Sequence, residues 1–210
     1  MNPNLLKFGL PTIGAAGAGS VGYGVYSHIS NKDRTLRDWV SEVSLIEDPK
    51  SKNWETVFED LKAEDTELIS VLSSINSSIT KTSKNVDAAP VLREWCNTAL
   101  NKKDTVANKA DLLPKIKKWC ASQPLTLSEK LKNENKSLLS SGWDTQYGKL
   151  KDSIFEDIKD KGENFNSKDD TTKGGQALQK WCQKNVAKGT HEEGAAELFK
   201  KVKARCTSSN

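Results

Sequence analysis

The chain has 210 residues, 35% of them hydrophobic and 29% charged, which fits one larger domain or two small ones. Its 32 basic and 28 acidic residues leave a net charge of +4, too balanced to argue for nucleic acid from charge alone. The basic residues are mostly Lys. Arginine occurs only at Arg34, Arg37, Arg93 and Arg205, and base-edge reading leans on Arg, so no nucleic-acid partner is expected.

Residues 1–30 read as an N-terminal anchor or signal segment. Phe8 to Ser27 carries no charge and spans 20 residues, enough to cross a bilayer as a helix. Tyr23 and Tyr26 sit near one end, as interfacial aromatics do. Gly14, Ala18 and Gly22 recur every fourth position and form a small-residue line through which two such helices could pair. Ala16-Gly17-Ala18 also resembles a cleavage site, so a secretory signal is the alternative, and the body would then be secreted. An uncleaved anchor is the favoured reading. Lys7 precedes the segment and Lys32, Arg34 and Arg37 follow it, a bias toward a cytoplasmic body.

Beyond the segment the apolar pattern is helical, and strand-like alternation is absent. Leu36, Trp39, Val40, Val43 and Leu45 predict a helix near 35–46. Trp54, Phe58 and Leu61, with Leu68, Ile69 and Leu72, form long helical stripes. Val91, Leu92, Trp95, Cys96 and Leu100 line the next helix. Leu112, Leu113, Ile116, Trp119 and Cys120 line another, entered through Ala110-Asp111. Further on, Trp143, Tyr147, Leu150, Ile154 and Ile158 predict a helix near 141–160, and Leu178, Trp181, Cys182 and Val186 a helix over 172–186. Gly189-Thr190 breaks the pattern, and Thr190 with Glu193 reads as a capping box for a last helix carrying Ala195, Leu198, Phe199, Val202 and Cys206. Pro49, Pro90, Pro114 and Pro124 are expected to punctuate helices rather than lie inside them.

The second half repeats the first. VLREWC at 91–96 returns as ALQKWC at 177–182, shifted by 86, and Cys120 returns at the same shift as Cys206. Trp54-Glu55-Thr56 through Leu61 parallels Trp143-Asp144-Thr145 through Leu150. Thr35-Leu36 and Thr126-Leu127 mark the starts of copies spanning about 35–120 and 126–206. The expected fold is therefore all-α: an apolar transmembrane helix, then two tandem, duplicated small helical bundles at 31–121 and 122–210.

Each copy keeps two cysteines on helices joined by a short polar loop. Disulfides Cys96 to Cys120 and Cys182 to Cys206 are expected, and they imply an oxidising space; packed free thiols are the alternative. The tryptophans, Trp54, Trp95, Trp119, Trp143 and Trp181 with Trp39, read as core aromatics. No cofactor, metal or catalytic residue is expected. Ser78-Ile79-Thr80-Lys81 matches an acyl-enzyme pattern but lacks its partner motifs. Lys173-Gly174-Gly175 reads as a loop without a phosphate cradle, His191 as a solvated residue at a helix start, and Asp169-Asp170 as a polar loop. His28 and His191 do not fit a four-ligand metal pattern.

The Gly/Ala-rich apolar N-terminus, the Lys-rich helical body and the blocks LREWC, KIKKWC and LQKWC resemble the uncharacterised paralogous membrane and surface proteins of haemotrophic mycoplasmas. The resemblance covers the whole chain in layout and carries over no catalytic residue. In the second copy Arg205 stands where Trp119 stands in the first. The resemblance implies a cell with a single membrane, so that an outward body faces the host. The expected function is a non-enzymatic surface protein, host-interacting or antigenic, with a host protein as partner. The alternative is a cytoplasm-facing scaffold with reduced cysteines.

Overall fold

The computed structural model describes residues 34–162 and 165–208. Phe8 to Ser27, with the Gly14, Ala18, Gly22 line, lies outside them. Among the described residues no helix is long and apolar enough to cross a membrane. The architecture is all-α, with eight α-helices, two short 3₁₀ turns and no strand among the described residues. In chain order the helices are α1 (Asn53–Leu61), α2 (Thr66–Ile75), α3 (Asn85–Leu100), α4 (Val106–Trp119), α5 (Leu127–Asn133), α6 (Trp143–Ile158), α7 (Thr171–Val186) and α8 (Ala195–Cys206). Residues Thr35–Asn210 form one compact unit.

Two hydrophobic clusters fill this unit. One runs from Leu36 to Cys120 and centres on Phe58, Leu68, Leu92, Ile116 and Trp119. The other runs from Leu127 to Cys206 and centres on Tyr147, Ile154, Leu178 and Val202. Element order recurs between them. A Thr-capped first turn holds a fully buried leucine, Leu36 or Leu127. Its capping acid, Asp38 or Glu129, accepts from the Thr35 or Thr126 amide at 2.9 and 3.1 Å. The Leu36 amide donates to the Lys102 carbonyl at 3.0 Å and the Leu127 amide to the Lys188 carbonyl at 3.1 Å. Ile46 donates to Cys120 at 3.0 Å and Leu139 to Cys206 at 2.9 Å. On the acceptor side both pairs of carbonyls are related by the same shift of 86 residues.

Several sequence expectations are corrected. The helix near 35–46 is a single 3₁₀ turn, Leu36–Trp39. The backbone on either side of it instead pairs with the ends of α3 and α4, which fixes Thr35 and Leu45 outside helical geometry. The stripe from Trp54 to Leu72 is split into α1 and α2, because the Asp65 carboxylate caps a new start through the Leu68 amide at 2.9 Å. Helix α4 begins at Val106 under a Thr105 cap, not at Ala110-Asp111. Pro90 and Pro114 lie inside α3 and α4. Both face solvent, and the carbonyls they leave unbonded belong to exposed Val86 and Ala110, where water can satisfy them.

Gly174-Gly175 is not a loop but sits in the first turns of α7. The two glycines let α6 and α7 approach closely: a Cβ on Gly174 would enter the Tyr147 ring, and one on Gly175 would stand 2.6 Å from the Asp144 amide nitrogen. The Thr190/Glu193 capping box does not form either, since α8 starts at Ala195 behind Gly194. Thr190 and Glu193 are engaged elsewhere.

Candidate functional site

Both cysteine pairs are bridged. Cys96–Cys120 and Cys182–Cys206 each close 24 residues, with Cα separations of 5.8 and 5.7 Å, and all four cysteines are buried. Each bridge ties the long helix of its half (α3 or α7) to the following one (α4 or α8). The aromatic surroundings then diverge. In the first half Trp95 packs on Trp119 with ring centroids 4.7 Å apart, and Trp119 Nε1 donates to Asp65 at 2.9 Å. In the second half the Arg205 guanidinium lies 5.0 Å from the Trp181 ring and donates to Asp157 at 2.6 Å. A ring pair is thus replaced by a cation over a ring, and each keeps a carboxylate anchor. The Arg205 hydrogen bond holds Asp157 below the usual carboxylate range. Burial works to raise Asp65, but Lys118, the Leu68 amide and Trp119 together hold it low.

Trp54, Trp119, Trp143 and Trp181 are buried and Trp95 half-buried. Trp54 Nε1 donates to the Asp48 carbonyl at 3.0 Å, whereas the buried Nε1 of Trp143 has no partner among the described residues. Trp39 departs from the expectation of a core role. It is 42% exposed, its indole donates to Asp104, and Lys109 lies 4.0 Å from its ring centroid. It sits on the 3₁₀ turn, which presents only Leu36 inward.

A polar seam joins the two clusters where α1 meets α8. Glu59, only 2% exposed, accepts from Lys62 at 2.7 Å, from Asn85 Nδ2 at 3.0 Å and from the Ala196 amide at 3.3 Å. Lys62 also reaches Glu193 at 2.7 Å, and Glu193 accepts the Asn85 amide at 2.5 Å. Glu193 therefore caps α3 of the other half, which explains why it leaves its own helix start. Burial opposes the charge on Glu193, yet Lys62 and the Asn85 amide hold its carboxyl low. Deeper in the seam the Thr56 and Thr190 hydroxyl oxygens stand 3.1 Å apart, and Thr190 donates to the Pro124 carbonyl at 2.6 Å. Beside it Lys130 pairs with Asp60, whose carboxyl burial pushes up.

A second feature is an open groove of about 390 Å³ lined by Lys161, Lys180, Lys184 and Lys188, with Asp160 and Trp181. None of these four lysines forms an ion pair among the described residues. From Thr171 to His191 the chain has no acidic residue.

The remaining motifs stay apart. Ser78 bonds Asn76 in the loop after α2, with Ile79 buried beneath it. Asp170 caps α7 and Asp169 pairs with Lys151. His191 is not simply solvated: its Nδ1 is buried without a partner among the described residues, and its carbonyl accepts from Asn85. Among the described residues no group of His, Cys, Asp and Glu is placed to hold a metal ion. The sequence reading missed Glu59, Lys62 and Asn85 and gave Glu193 a local capping role, because nothing local announces the contacts of Asn85 and Lys62 with Glu193 across more than 100 residues. The lysine groove did leave a signal, the i, i+4, i+8 spacing of Lys180, Lys184 and Lys188 in an acid-free run. No protein-family model matches the chain, and no curated protein or solved structure matches it.

Proposed function

We propose that this chain is a membrane-anchored, non-enzymatic surface protein, held by Phe8 to Ser27, whose body faces outward and engages host molecules or serves as an antigen. The reading takes the body as two tandem copies of one disulfide-closed helical bundle. The single observation that carries it is the pair of buried bridges, Cys96–Cys120 and Cys182–Cys206, since such cross-links persist in oxidising spaces and are rare in a reducing cytosol. The recurring backbone pairings at the ends of α3, α4, α7 and α8 support the duplication. The seam argues for scaffold over catalysis, because its buried charges bond one another and join the halves. The resemblance to mycoplasma surface paralogues points the same way.

One observation favours a second reading, a cytoplasm-facing scaffold: Lys32, Arg34 and Arg37 follow the apolar segment. Protease treatment and a membrane-impermeant thiol reagent on intact cells separate the two. The surface reading expects digestion of residues 35–210 and no thiol labelling before reduction. Protection from protease, with free thiols labelled only after lysis, would reject it.

A further inference from the structure

We infer that the lysine groove beside α7 is a binding site for an anionic polysaccharide. The inference deepens the surface-protein reading, on which it rests for access to such a ligand. Lys180, Lys184 and Lys188 follow one line of α7 and its C-terminal extension. Lys180 and Lys184 stand one turn apart on the helix, Lys188 follows just past its end, and Lys161 adds a fourth charge from a different segment of the chain. Asp160 is the one acidic residue among the lining. Some lysines elsewhere are drawn into pairs, such as Lys130 with Asp60 and Lys168 with Asp152, while others stand singly on the surface; the groove differs in gathering four unpaired ones around one cavity.

The first half serves as an internal comparison. At the shift of 86 residues Lys180 corresponds to Glu94 and Lys184 to Thr98, while the buried Leu178 and Cys182 keep their counterparts Leu92 and Cys96. The core pattern therefore does not require Lys180 or Lys184, while Lys188 keeps a lysine counterpart in Lys102. Helix-end charge complementarity accounts for Lys184 in the last turn, but not for Lys180 or Lys161.

The chemistry of the lining selects the ligand class. Lysines are flexible point charges without the planar fork of Arg, so four of them spread along a groove suit a run of separated anionic groups. A C-terminal helix end presents carbonyls, which disfavours a small compact anion there. The large exposed apolar side chains, Trp39, Ile75, Val86, Val106 and Leu125, all lie outside the groove lining. The groove thus has no residue to insert into a bilayer and no apolar anchor of the kind that dominates protein interfaces. Trp181, 8% exposed, is the one aromatic residue of the lining, with the Arg205 guanidinium 5.0 Å from its ring.

The test is titration of the full-length chain with a size-defined sulfated heparin oligosaccharide, and with a carboxylate-only hyaluronan oligosaccharide, over a range of salt. Binding is expected in at least one arm, weakening with salt by up to about one power of concentration per lysine engaged. The variant Lys161→Gln/Lys180→Gln/Lys184→Gln/Lys188→Gln should lose at least about tenfold in affinity. A control with the same charge change, Lys50→Gln/Lys81→Gln/Lys102→Gln/Lys132→Gln, should lose less than about twofold. Circular dichroism verifies that both variants fold. Absence of binding to either saccharide overturns the proposal, as does an equal loss in both variants. Tighter groove-dependent binding to phosphatidylserine vesicles or to duplex DNA of matched charge overturns it in favour of those ligands. These outcomes are read on purified protein, so they are independent of the protease result that decides the surface reading.

Discussion

Removing one bridge at a time gives the sharpest test of how the halves are stabilised. The perturbations are Cys96→Ala/Cys120→Ala and Cys182→Ala/Cys206→Ala. Both bridges close loops of the same length, 24 residues of separation. Chain entropy then assigns each about 3.5 kcal/mol, a large share of the roughly 5–15 kcal/mol that holds a typical domain folded. For a unit of about 150–250 residues that amounts to a fall in Tm of about 7–14 °C. All four cysteines are at most 1% exposed, so the packing lost with sulfur is similar at both sites. Differential scanning calorimetry and urea unfolding of both variants read the effect directly. In reductant the wild type and both variants should agree to within about 1.5 kcal/mol, because reduction then opens every remaining cross-link and only the sulfur volume differs. A loss below about 1 kcal/mol for either pair would refute the reasoning, since the loop it closes would then not be what the unfolded chain gains.

Three further outcomes follow from the described contacts. Lys62→Met leaves Glu59 buried with no cation and should cost about 3–5 kcal/mol in urea unfolding, and a loss under about 1 kcal/mol would deny the seam its electrostatic role. Gly175→Ala drives a methyl into the Asp144 backbone, so thermal unfolding should show a net loss of about 1–3 kcal/mol even though Ala is the better helix former; a gain would mean that α6 and α7 separate freely. Asp157, Asp65 and Glu193 are held below their ordinary carboxyl range in the folded chain, so the stability they contribute is complete above the unfolded value of about 4 and disappears as pH falls through the folded values. The urea midpoint should therefore drop between about pH 5 and pH 2, and Asp157→Asn should flatten that drop; a midpoint that rises on acidification would contradict the assignment.

What the sequence revealed, and what it hid, divides by the range of the interaction. Helices α6 and α7, and the partners of all four cysteines, were legible because periodicity and equal spacing are local or repeated signals. The 3₁₀ turn at Leu36 was not, because its apolar pattern is helical while the Lys102 and Cys120 carbonyls recruit the flanking amides. Gly174-Gly175 reads as a breaker in isolation, and only the Tyr147 ring and Asp144 backbone opposite make glycine the fitting residue inside a helix. Glu193 sits three residues after Thr190 as a capping box requires, yet the Asn85 amide and Lys62 compete for its carboxylate and win. The line of lysines on α7 was visible in the sequence, but only the fold brings Lys161 into the same groove.

Each cross-link begins and ends inside its own half. Cutting the chain anywhere between Cys120 and Cys182 would therefore separate the halves without orphaning a thiol. What would hold two such separated halves together is the noncovalent joint, where Glu59, Lys62 and Asn85 come from one half and Glu193 from the other. Mixing the two halves as separate chains would then test whether that joint alone suffices to reassemble the unit.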